Sequence, residues 1–444
     1  MPYISNTDAE RKQMLQEIGA NSFEDLISDI PKKFRLKNPL KMDAPLSEME
    51  MIKEFSRLAD KNKSQLDLNS FLGAGVYDHF IPAAVDHIIL KPEFYTAYTP
   101  YQAEVSQGTL QYIYEYQTLI ARLTGMEISN AGMYDGASAA AEAIVMAIRK
   151  NRKQKVVISE NIHPIYLEVI KSYTIGLDIE IVIAPSKNGI LDLEKLEELM
   201  DKKTSSFLLQ TPNFYGNIED AFKISEIVHS QKKAIFIVAT DPISLPILNS
   251  PAEYAADIVV GEGQALGNAE NYGGPLFGFI GTSKKLARKM PGRISGRTED
   301  KDGKVAYTLT LQGREQHIRR DKATSNICSN ESLCTLAATV YMSLMGKEGM
   351  KEVATQSATK AHYLANQIIK IDGFEMMNDM PFFKEFAIRT KVPAAEIVKK
   401  LEAQKILAGL DLKRFGQPNL LLIAVTEKKT KADLDKFVEL LKEV

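Results

Sequence analysis

Short apolar segments alternate with helical segments between residues 127 and 281, and this alternation restricts the fold more than any other feature of the sequence. The apolar segments have the length and composition of strands and are bounded by turn residues. They span residues 156–159, 179–184, 206–210, 234–239, 257–260 and 276–280. Single helices between strands predict a mostly parallel sheet covered on both faces, an α/β fold. Ligands of such sheets bind at the carboxyl ends of the strands.

The sequence on either side of this section differs in composition and in its predicted secondary structure. At 444 residues the chain is long enough for two domains and an arm. Its N-terminal part is polar and helix-prone, and Pro31 and Pro39 divide it into two predicted helices with an extended link. We predict an N-terminal helical arm at 1–66, a large α/β domain at 67–312 and a small α+β domain at 313–444. The arm either wraps a partner or covers its own subunit.

Charge and composition exclude several classes of function. A net charge of −2 offers no electrostatic basis for binding nucleic acid or an anionic membrane. The sequence has no apolar run of transmembrane length and no signal-peptide pattern at its start, which predicts a cytoplasmic protein. Cys328 and Cys334 have no companions at zinc-ligand spacing, and the histidines form no metal-ligand motif. We therefore expect no metal site and no disulfide scaffold.

The stretch 257–281 joins the last two strand-like segments through a glycine-rich turn and a loop. Pyridoxal-phosphate enzymes built on such sheets often carry a lysine at this point, and its amine holds the cofactor as a Schiff base. The stretch contains no lysine, and Gln264 or its neighbour Ala265 stands near the expected position. The sequence therefore predicts the scaffold of a cofactor enzyme without its covalent anchor, and no catalytic residue in this chain.

A glycine turn followed by small residues is a candidate phosphate site. The backbone N–H groups of Gly136, Ala137 and Ser138 begin a predicted helix, where the helix dipole favours an anion. Ordinary capping of the helix by Asp135 accounts for the same residues. Both interpretations stay open at this point.

Two further residues follow predicted strands and are candidates for a cofactor pocket. Asp241 is placed to pair with a pyridinium nitrogen, although an aspartate before Pro242 is also a common helix cap. His163 is a candidate for stacking on a cofactor ring, and a structural histidine in a loop is the alternative. Lys284 and Lys285 begin a basic, solvated segment, which makes them poor candidates for a lysine nucleophile.

Taken together, these segments resemble the glycine cleavage system P-protein, in the alpha chain of its split form. The resemblance rests on long motifs spread over more than half of the chain. They are YTAYTPYQAEVSQG at 95–108, NAGMYDGAS at 130–138, YGGPLFG at 272–278 and REQHIRRDKATSNIC at 314–328. It implies fold type I of the pyridoxal-phosphate enzymes, the aspartate-aminotransferase-like fold, with Gly136, Ala137, Ser138, His163 and Asp241 as a vestigial cofactor pocket.

The resemblance also implies partners. A beta subunit, in an α2β2 assembly, would carry the lysine and the pyridoxal phosphate, while glycine is decarboxylated and its aminomethyl group passes to the lipoyl arm of the H-protein. Loops of one chain reach the cofactor of the other in such dimers. The segment around 95–107 is the candidate for this contact. Its named residues are Tyr95, Tyr98, Tyr101, Gln102 and Glu104, and plain interface packing is the alternative.

Two other functions remain as alternatives. One is a self-sufficient pyridoxal-phosphate decarboxylase or lyase that uses Lys284, Lys285 or another lysine. The other is a non-catalytic binding protein on the same fold. Neither explains the absence of lysine from residues 257–281 as directly as a lysine-bearing partner does.

Overall fold

A computed structural model describes residues 5–38, 40–64, 67–270 and 274–444. Pro39, predicted to interrupt the arm, and Tyr272 and Gly273 of the third motif lie outside these residues. The chain forms two compact units, Met1–Lys63 and Ser64–Val444.

The described residues of the first unit form three α-helices, α1 (Asp8–Glu17), α2 (Phe23–Leu26) and α3 (Glu48–Ala59). The sequence sets where the two longer helices begin, because Thr7 with Glu10 and Ser47 with Glu50 each form a capping box. None of the three helices contains a buried residue. The sequence predicted two helices with an extended link; the structure has the two longer helices, but the link between them contains α2 and a 3-10 turn at Lys32–Phe34.

The helices of the second unit alternate with the strands between residues 127 and 281, as the sequence predicted. They are α4 (Ala83–Ile89), α5 (Pro92–Tyr95), α6 (Gln107–Thr124), α7 (Gly136–Asn151), α8 (Pro164–Thr174), α9 (Leu193–Leu199), α10 (Ala221–Ser230), α11 (Gln316–Arg319), α12 (Ser332–Ile368), α13 (Ala394–Ala403) and α14 (Lys431–Lys442). Local chemistry sets several ends: α6 stops at Gly125, whose φ of 74° is left-handed, and α8 begins with Pro164 at its first position. The long helix α12 changes direction at Gly346, where φ is 57°.

The strands of the second unit form one large sheet and several smaller ones. They are β1 (Asn69–Ser70), β2 (Ile128–Ser129), β3 (Lys155–Ser159), β4 (Glu180–Ala184), β5 (Ser186–Lys187), β6 (Ile190–Leu191), β7 (Thr204–Gln210), β8 (Ile235–Ala239), β9 (Ile258–Glu262), β10 (Gly278–Thr282), β11 (Ile294–Glu299), β12 (Val305–Thr310), β13 (Phe374–Met376), β14 (Glu385–Thr390), β15 (Ile406–Leu407), β16 (Leu410–Leu412) and β17 (Gln417–Ala424). Within the described part of the chain, the large sheet has seven strands in the order β2-β10-β9-β8-β7-β3-β4.

The large sheet is mostly parallel, as the alternation of strands and helices predicted. Strands β4, β3, β7, β8 and β9 run parallel, and β10 runs antiparallel to both β9 and β2. Successive residues of β7 enter different hydrophobic clusters, Phe207 and Leu209 on one face and Leu208 on the other. Helices therefore cover both faces, and polar side chains collect where the parallel strands end.

A second sheet, in the order β13-β14-β17-β16, packs with the C-terminal helices around a core that includes Phe386, Leu421 and Phe437. It belongs to the same compact unit as the large sheet. A boundary near residue 312 remains a prediction. Among the described residues, no helix has the length and apolar character needed to cross a membrane.

Candidate functional site

A small cavity lies at the carboxyl ends of the parallel strands. Its walls include Gln210 at the end of β7, Asp241 after β8 and Glu262 at the end of β9. Tyr77, in the loop after β1, and Lys384, directly before β14, line its remaining sides. We call this space the strand-end cavity. Its volume is about 50 Å³, enough for a few water molecules.

The start of α7 is held by the protein's own acids. Asp135 caps the helix, since its carboxylate accepts the Ser138 N–H at 2.6 Å. Gly136 donates its N–H to Oε2 of Glu262 at 3.0 Å, and Oε1 of Glu262 accepts the Gln264 N–H at 3.0 Å. Two of the three residues predicted to hold a phosphate, Gly136 and Ser138, therefore donate to acidic side chains, while Ala137 is buried in the same turn.

Glu262 lies in an unusual environment for an acid. Burial raises its pKa to about 8, against the opposing effect of the N–H groups of Gly136 and Gln264. The approach is close, because a Cβ on Gly136 would collide with the Tyr166 hydroxyl and lie 2.7 Å from the Glu262 backbone nitrogen. Glycine at 136 thus allows β9 and the first turn of α7 to meet.

Asp241 is paired with a lysine from the C-terminal part of the chain. Its Oδ2 lies 2.8 Å from Nζ of Lys384, whose side chain is only 1% exposed. Its Oδ1 accepts the Ile243 N–H at 2.9 Å, within a run of turns rather than at the start of a helix. The carboxylate predicted to face a pyridinium nitrogen therefore faces an ammonium group.

Lys384 has further neighbours that fix its amine. Its Nζ lies 3.7 Å from the centre of the Tyr77 ring and 2.8 Å from Nε2 of His79. Because a lysine only donates, Nε2 of His79 accepts, and Nδ1 donates to Glu427 at 2.6 Å. Burial, followed by the charge of Lys384, lowers the pKa of His79, in agreement with a neutral ring.

Glu385, next to Lys384, is directed to the loop after β1. It accepts the Ala74 N–H at 2.6 Å and the Tyr77 hydroxyl at 2.9 Å. Burial raises its pKa to about 7, despite these hydrogen bonds. The sequence interpretation missed Lys384 and Glu385, although two charges between Phe383 and Phe386 in an otherwise apolar strand segment are a signal of buried polar contacts.

The two residues near the expected lysine position are directed differently. Ala265 lines the strand-end cavity. The Gln264 side chain instead accepts the Tyr77 N–H at 2.9 Å and donates to the Asn268 carbonyl at 2.7 Å. The side chain that enters the cavity at this turn is thus a methyl group, one residue beyond the glutamine that the sequence interpretation emphasised.

His163 caps α8 beside the cavity. Its Nδ1 accepts the Ile165 N–H at 3.1 Å, so its Nε2 donates to the Ala74 carbonyl at 3.0 Å. Burial lowers its pKa, and its ring packs 5.0 Å from that of Phe214. Both nitrogens have protein partners, and stacking of the ring on a cofactor stays a prediction.

Lys284 and Lys285 lie at the opposite edge of the large sheet. Strand β10 ends at Thr282, which pairs with Ile258 at the start of β9, whereas Glu262 at the cavity pairs with Gly278. Both lysines are exposed in the turn that follows β10. Their amines are therefore directed away from the strand-end cavity by the antiparallel course of β10.

The tyrosine segment is a surface rather than a wall of the cavity. Tyr95 is 60% exposed and Tyr98 80% exposed, while Gln102 and Glu104 are also exposed. Tyr101 is half-exposed, and its ring and hydroxyl contact Arg293, His317 and Cys328.

Tyr101 packs on a buried charged cluster. The guanidinium carbon of Arg293 lies 4.8 Å from the Tyr101 ring centre, and Nε of Arg293 is 3.3 Å from a carboxylate oxygen of Glu315. The Tyr101 hydroxyl lies 3.8 Å from Sγ of Cys328. Burial raises the pKa of the Cys328 thiol, but hydrogen bonds from Arg293 and Tyr101 give a net lowering. Nη1 of Arg293 is buried and makes no hydrogen bond to the described residues.

Comparison with known proteins identifies close relatives of the whole chain. The family model of the glycine cleavage system P-protein matches residues 1–441. A protein of Chloroherpeton thalassium, named probable glycine dehydrogenase (decarboxylating) subunit 1, is 52% identical over 444 residues and covers 100% of both chains. A protein of the same name from Carboxydothermus hydrogenoformans is 53% identical, with 99% of both chains covered.

Solved structures agree with these relatives. A crystal structure of glycine decarboxylase (P-protein) of the glycine cleavage system, in inhibitor-bound form, is 39% identical, with a TM-score of 0.92 and 100% of both chains covered. The sphingosine-1-phosphate lyase of Burkholderia pseudomallei shares the fold at 13% identity, with a TM-score of 0.67 over 92% of both chains. The predicted fold type I of the pyridoxal-phosphate enzymes is confirmed.

Proposed function

The chain belongs to the glycine cleavage system P-protein family, and from this membership we propose that it is the lysine-free subunit of a two-chain glycine decarboxylase. In this function glycine loses its carboxyl group as CO2, and the aminomethyl group passes to the lipoyl arm of the H-protein. A homologous beta subunit carries the pyridoxal phosphate and the lysine that holds it. Two copies of each chain form an α2β2 assembly.

The observation that carries this division of labour is the composition of the strand-end cavity. Covalent attachment of the cofactor needs a free primary amine. At the turn after β9 the cavity is lined by Ala265, and the amine of Lys384 is bound to Asp241. The cofactor supplies the electron sink for decarboxylation when it is bound, so this chain's contribution is to position substrate and to exclude water.

The exposed tyrosine segment is our candidate for the contact with the partner's active site. Tyr95 and Tyr98 present large aromatic surface to solvent, and such side chains are enriched at protein interfaces. Tyr101 is anchored by Arg293 and therefore holds the segment in place. Gln102 and Glu104 supply polar groups at the same surface.

Reconstitution tests the proposal. The purified chain should show no visible absorbance band of bound pyridoxal phosphate and no exchange of glycine carboxyl with bicarbonate. Exchange should appear only after the lysine-bearing homologue and lipoylated H-protein are added. Exchange by the lone chain would contradict the proposal.

A self-sufficient enzyme is the second candidate, because Lys384 is a lysine that lines the cavity. Its amine is already engaged by Asp241 and by Nε2 of His79, each at 2.8 Å, so it is not free to attack an aldehyde. Borohydride reduction in the presence of pyridoxal phosphate, followed by peptide mapping, decides between the two. Modification of Lys384 supports the second candidate, and modification confined to the partner supports the first. A non-catalytic binding protein would give no exchange even with both partners present.

A further inference from the structure

A pyridoxal-phosphate site needs three kinds of protein group. These are an amine for the aldehyde, N–H groups at a helix start for the phosphate, and an acid for the ring nitrogen. The fold supplies α7 and Asp241 for the last two purposes. In this chain, however, the described residues around the strand-end cavity do not fit the cofactor, because other side chains already use these groups.

Glu262 occupies hydrogen-bond donors at the start of α7, where a phosphate would bind. Its two carboxyl oxygens accept N–H groups of Gly136 and Gln264, both at 3.0 Å. The Ser138 N–H is used by Asp135. A phosphate arriving here would have to displace Glu262, and its negative charge would lie beside the fixed carboxylate of Asp135.

Lys384 occupies Asp241, the acid that would pair with the ring nitrogen. Its ammonium group lies 2.8 Å from Asp241, 2.8 Å from Nε2 of His79 and 3.7 Å from the centre of the Tyr77 ring. A ring nitrogen would have to compete with a full positive charge that is 1% exposed and bound on several sides.

The space left over is small. The strand-end cavity has a volume of about 50 Å³, whereas pockets for small molecules have roughly 300–1,000 Å³. From the two occupied partners and this volume, we infer that Glu262 and Lys384 stand in for the phosphate and the ring nitrogen of pyridoxal phosphate. The chain therefore excludes the cofactor, even without a covalent bond, by satisfying the cofactor's partners with its own side chains.

This inference goes further than the absence of an anchoring lysine. Placing a lysine at position 264 or 265 would not restore binding while Glu262 and Lys384 remain. The two side chains also give the cavity a structural role, because Lys384 joins the C-terminal part of the chain to Asp241 at the end of β8. The inference rests on the proposed function, in which the partner alone carries the cofactor, and extends it.

Thermal unfolding of the full chain with pyridoxine phosphate tests the inference. This probe has the ring nitrogen and phosphate but no aldehyde, so it cannot form imines with surface lysines. The melting temperature of the native chain should not change with millimolar probe. In the double variant Glu262→Ala, Lys384→Ala the probe should raise it by at least about 1 °C. A matched double variant, Glu142→Ala with Lys155→Ala, removes a buried acid and an ion-paired lysine elsewhere and should show no response.

Two results would overturn the inference. One is binding of pyridoxine phosphate by the native chain in equilibrium dialysis. The other is a folded double variant that still does not respond. If the double variant does not fold, Glu262→Ala alone is tested with inorganic phosphate, which should raise its melting temperature and not that of the native chain; an equal response of both contradicts the inference. Glycine exchange by the native complex is measured separately, so loss of the proposed function is distinguished from failure of this inference.

Discussion

Lys384 and Asp241 form a buried pair whose members depend on each other. Each charge is costly to remove from water, and the pair is tolerated because both groups have additional partners. His79 accepts from Lys384 and passes the contact on to Glu427 at 2.6 Å. Burial raises the pKa of Glu427, but the hydrogen bond from His79 contributes to a net lowering. A continuous polar chain thus connects the end of β8 with the segment after β17.

Removing the lysine should therefore leave a buried carboxylate without its cation. We predict that Lys384→Met lowers the free energy of unfolding by roughly 3–5 kcal/mol. The double variant Asp241→Asn, Lys384→Met should lose clearly less than the sum of the two single changes, because neither charge is then left alone. Urea denaturation of the isolated chain measures both. Lys195→Met, in the exposed pair with Glu198, is the control and should change little; an equally small effect at Lys384 would contradict the prediction.

Glu262 should make the stability of the chain depend on pH. Burial raises its pKa from 4.5 to about 8 in the folded state. Between these values the folded chain keeps a proton that the unfolded chain has lost, so its contribution to stability is complete below the lower value and is lost as the pH rises through the higher one. The stability of the native chain minus that of Glu262→Gln should therefore fall with pH in this window, by at most about 1.4 kcal/mol per pH unit.

Urea denaturation at intervals between about pH 5 and pH 8 measures this difference. Glu385, whose pKa burial raises to about 7, is present in both proteins and cancels. Glu198→Gln, at an exposed position, controls for the substitution itself. A difference that stays constant with pH would show that Glu262 does not hold its proton in the folded chain.

At the scale of helices and strands, regular patterns were predictable and the cavity was not. The alternation of apolar and helical segments gave β3, β7, β8 and β9 because their residues are short apolar runs between turns. The short strand β2 carries no such pattern in its two residues. Asp241 and Lys384 are 143 positions apart in the sequence. Their contact depends on the packing of β14 beside the large sheet. Periodicity predicts the strands but not which side chains meet at their ends.

The junction of α7 with β9 should depend on glycine at position 136. Gly136→Ala places a methyl group against the Tyr166 hydroxyl and 2.7 Å from the Glu262 nitrogen. We expect a loss of about 1–3 kcal/mol in the free energy of unfolding, since neither backbone can move freely. Gly176→Ala, where an added Cβ meets nothing within 4 Å, is the control. Equal stability of the two variants would contradict this close approach.

The tyrosine segment should matter to the complex rather than to the isolated chain. Tyr98 is 80% exposed, so Tyr98→Ala removes little packing within the chain. If the segment contacts the partner's active site, glycine exchange by the reconstituted complex should fall about tenfold, with the melting temperature of the isolated chain unchanged. Ile175→Ala, at a residue 90% exposed elsewhere, should leave exchange unchanged. Full exchange with Tyr98→Ala would remove the segment from the proposed active site.

The whole molecule combines a well-packed second unit with a first unit that packs little. The large sheet has hydrophobic clusters on both faces, whereas the helices of the first unit contain no buried residue among those described. Large apolar side chains of that unit are exposed, including Phe23, Phe34 and Phe55. Apolar surface of this extent normally marks an interaction site.

The arm should therefore acquire its stability by binding the partner subunit. Ile52 and Phe55 lie three positions apart on α3 and are 56% and 64% exposed, so they share one apolar face. We predict that Ile52→Ser with Phe55→Ser weakens association with the beta subunit at least tenfold, at about 1.4 kcal/mol per factor of ten. The melting temperature of the isolated chain should not change. Lys53→Ser, at an exposed charged residue of the same helix, is the control, and both quantities are measured by titration and thermal unfolding. A lowered melting temperature with unchanged association would instead show that the arm covers its own subunit.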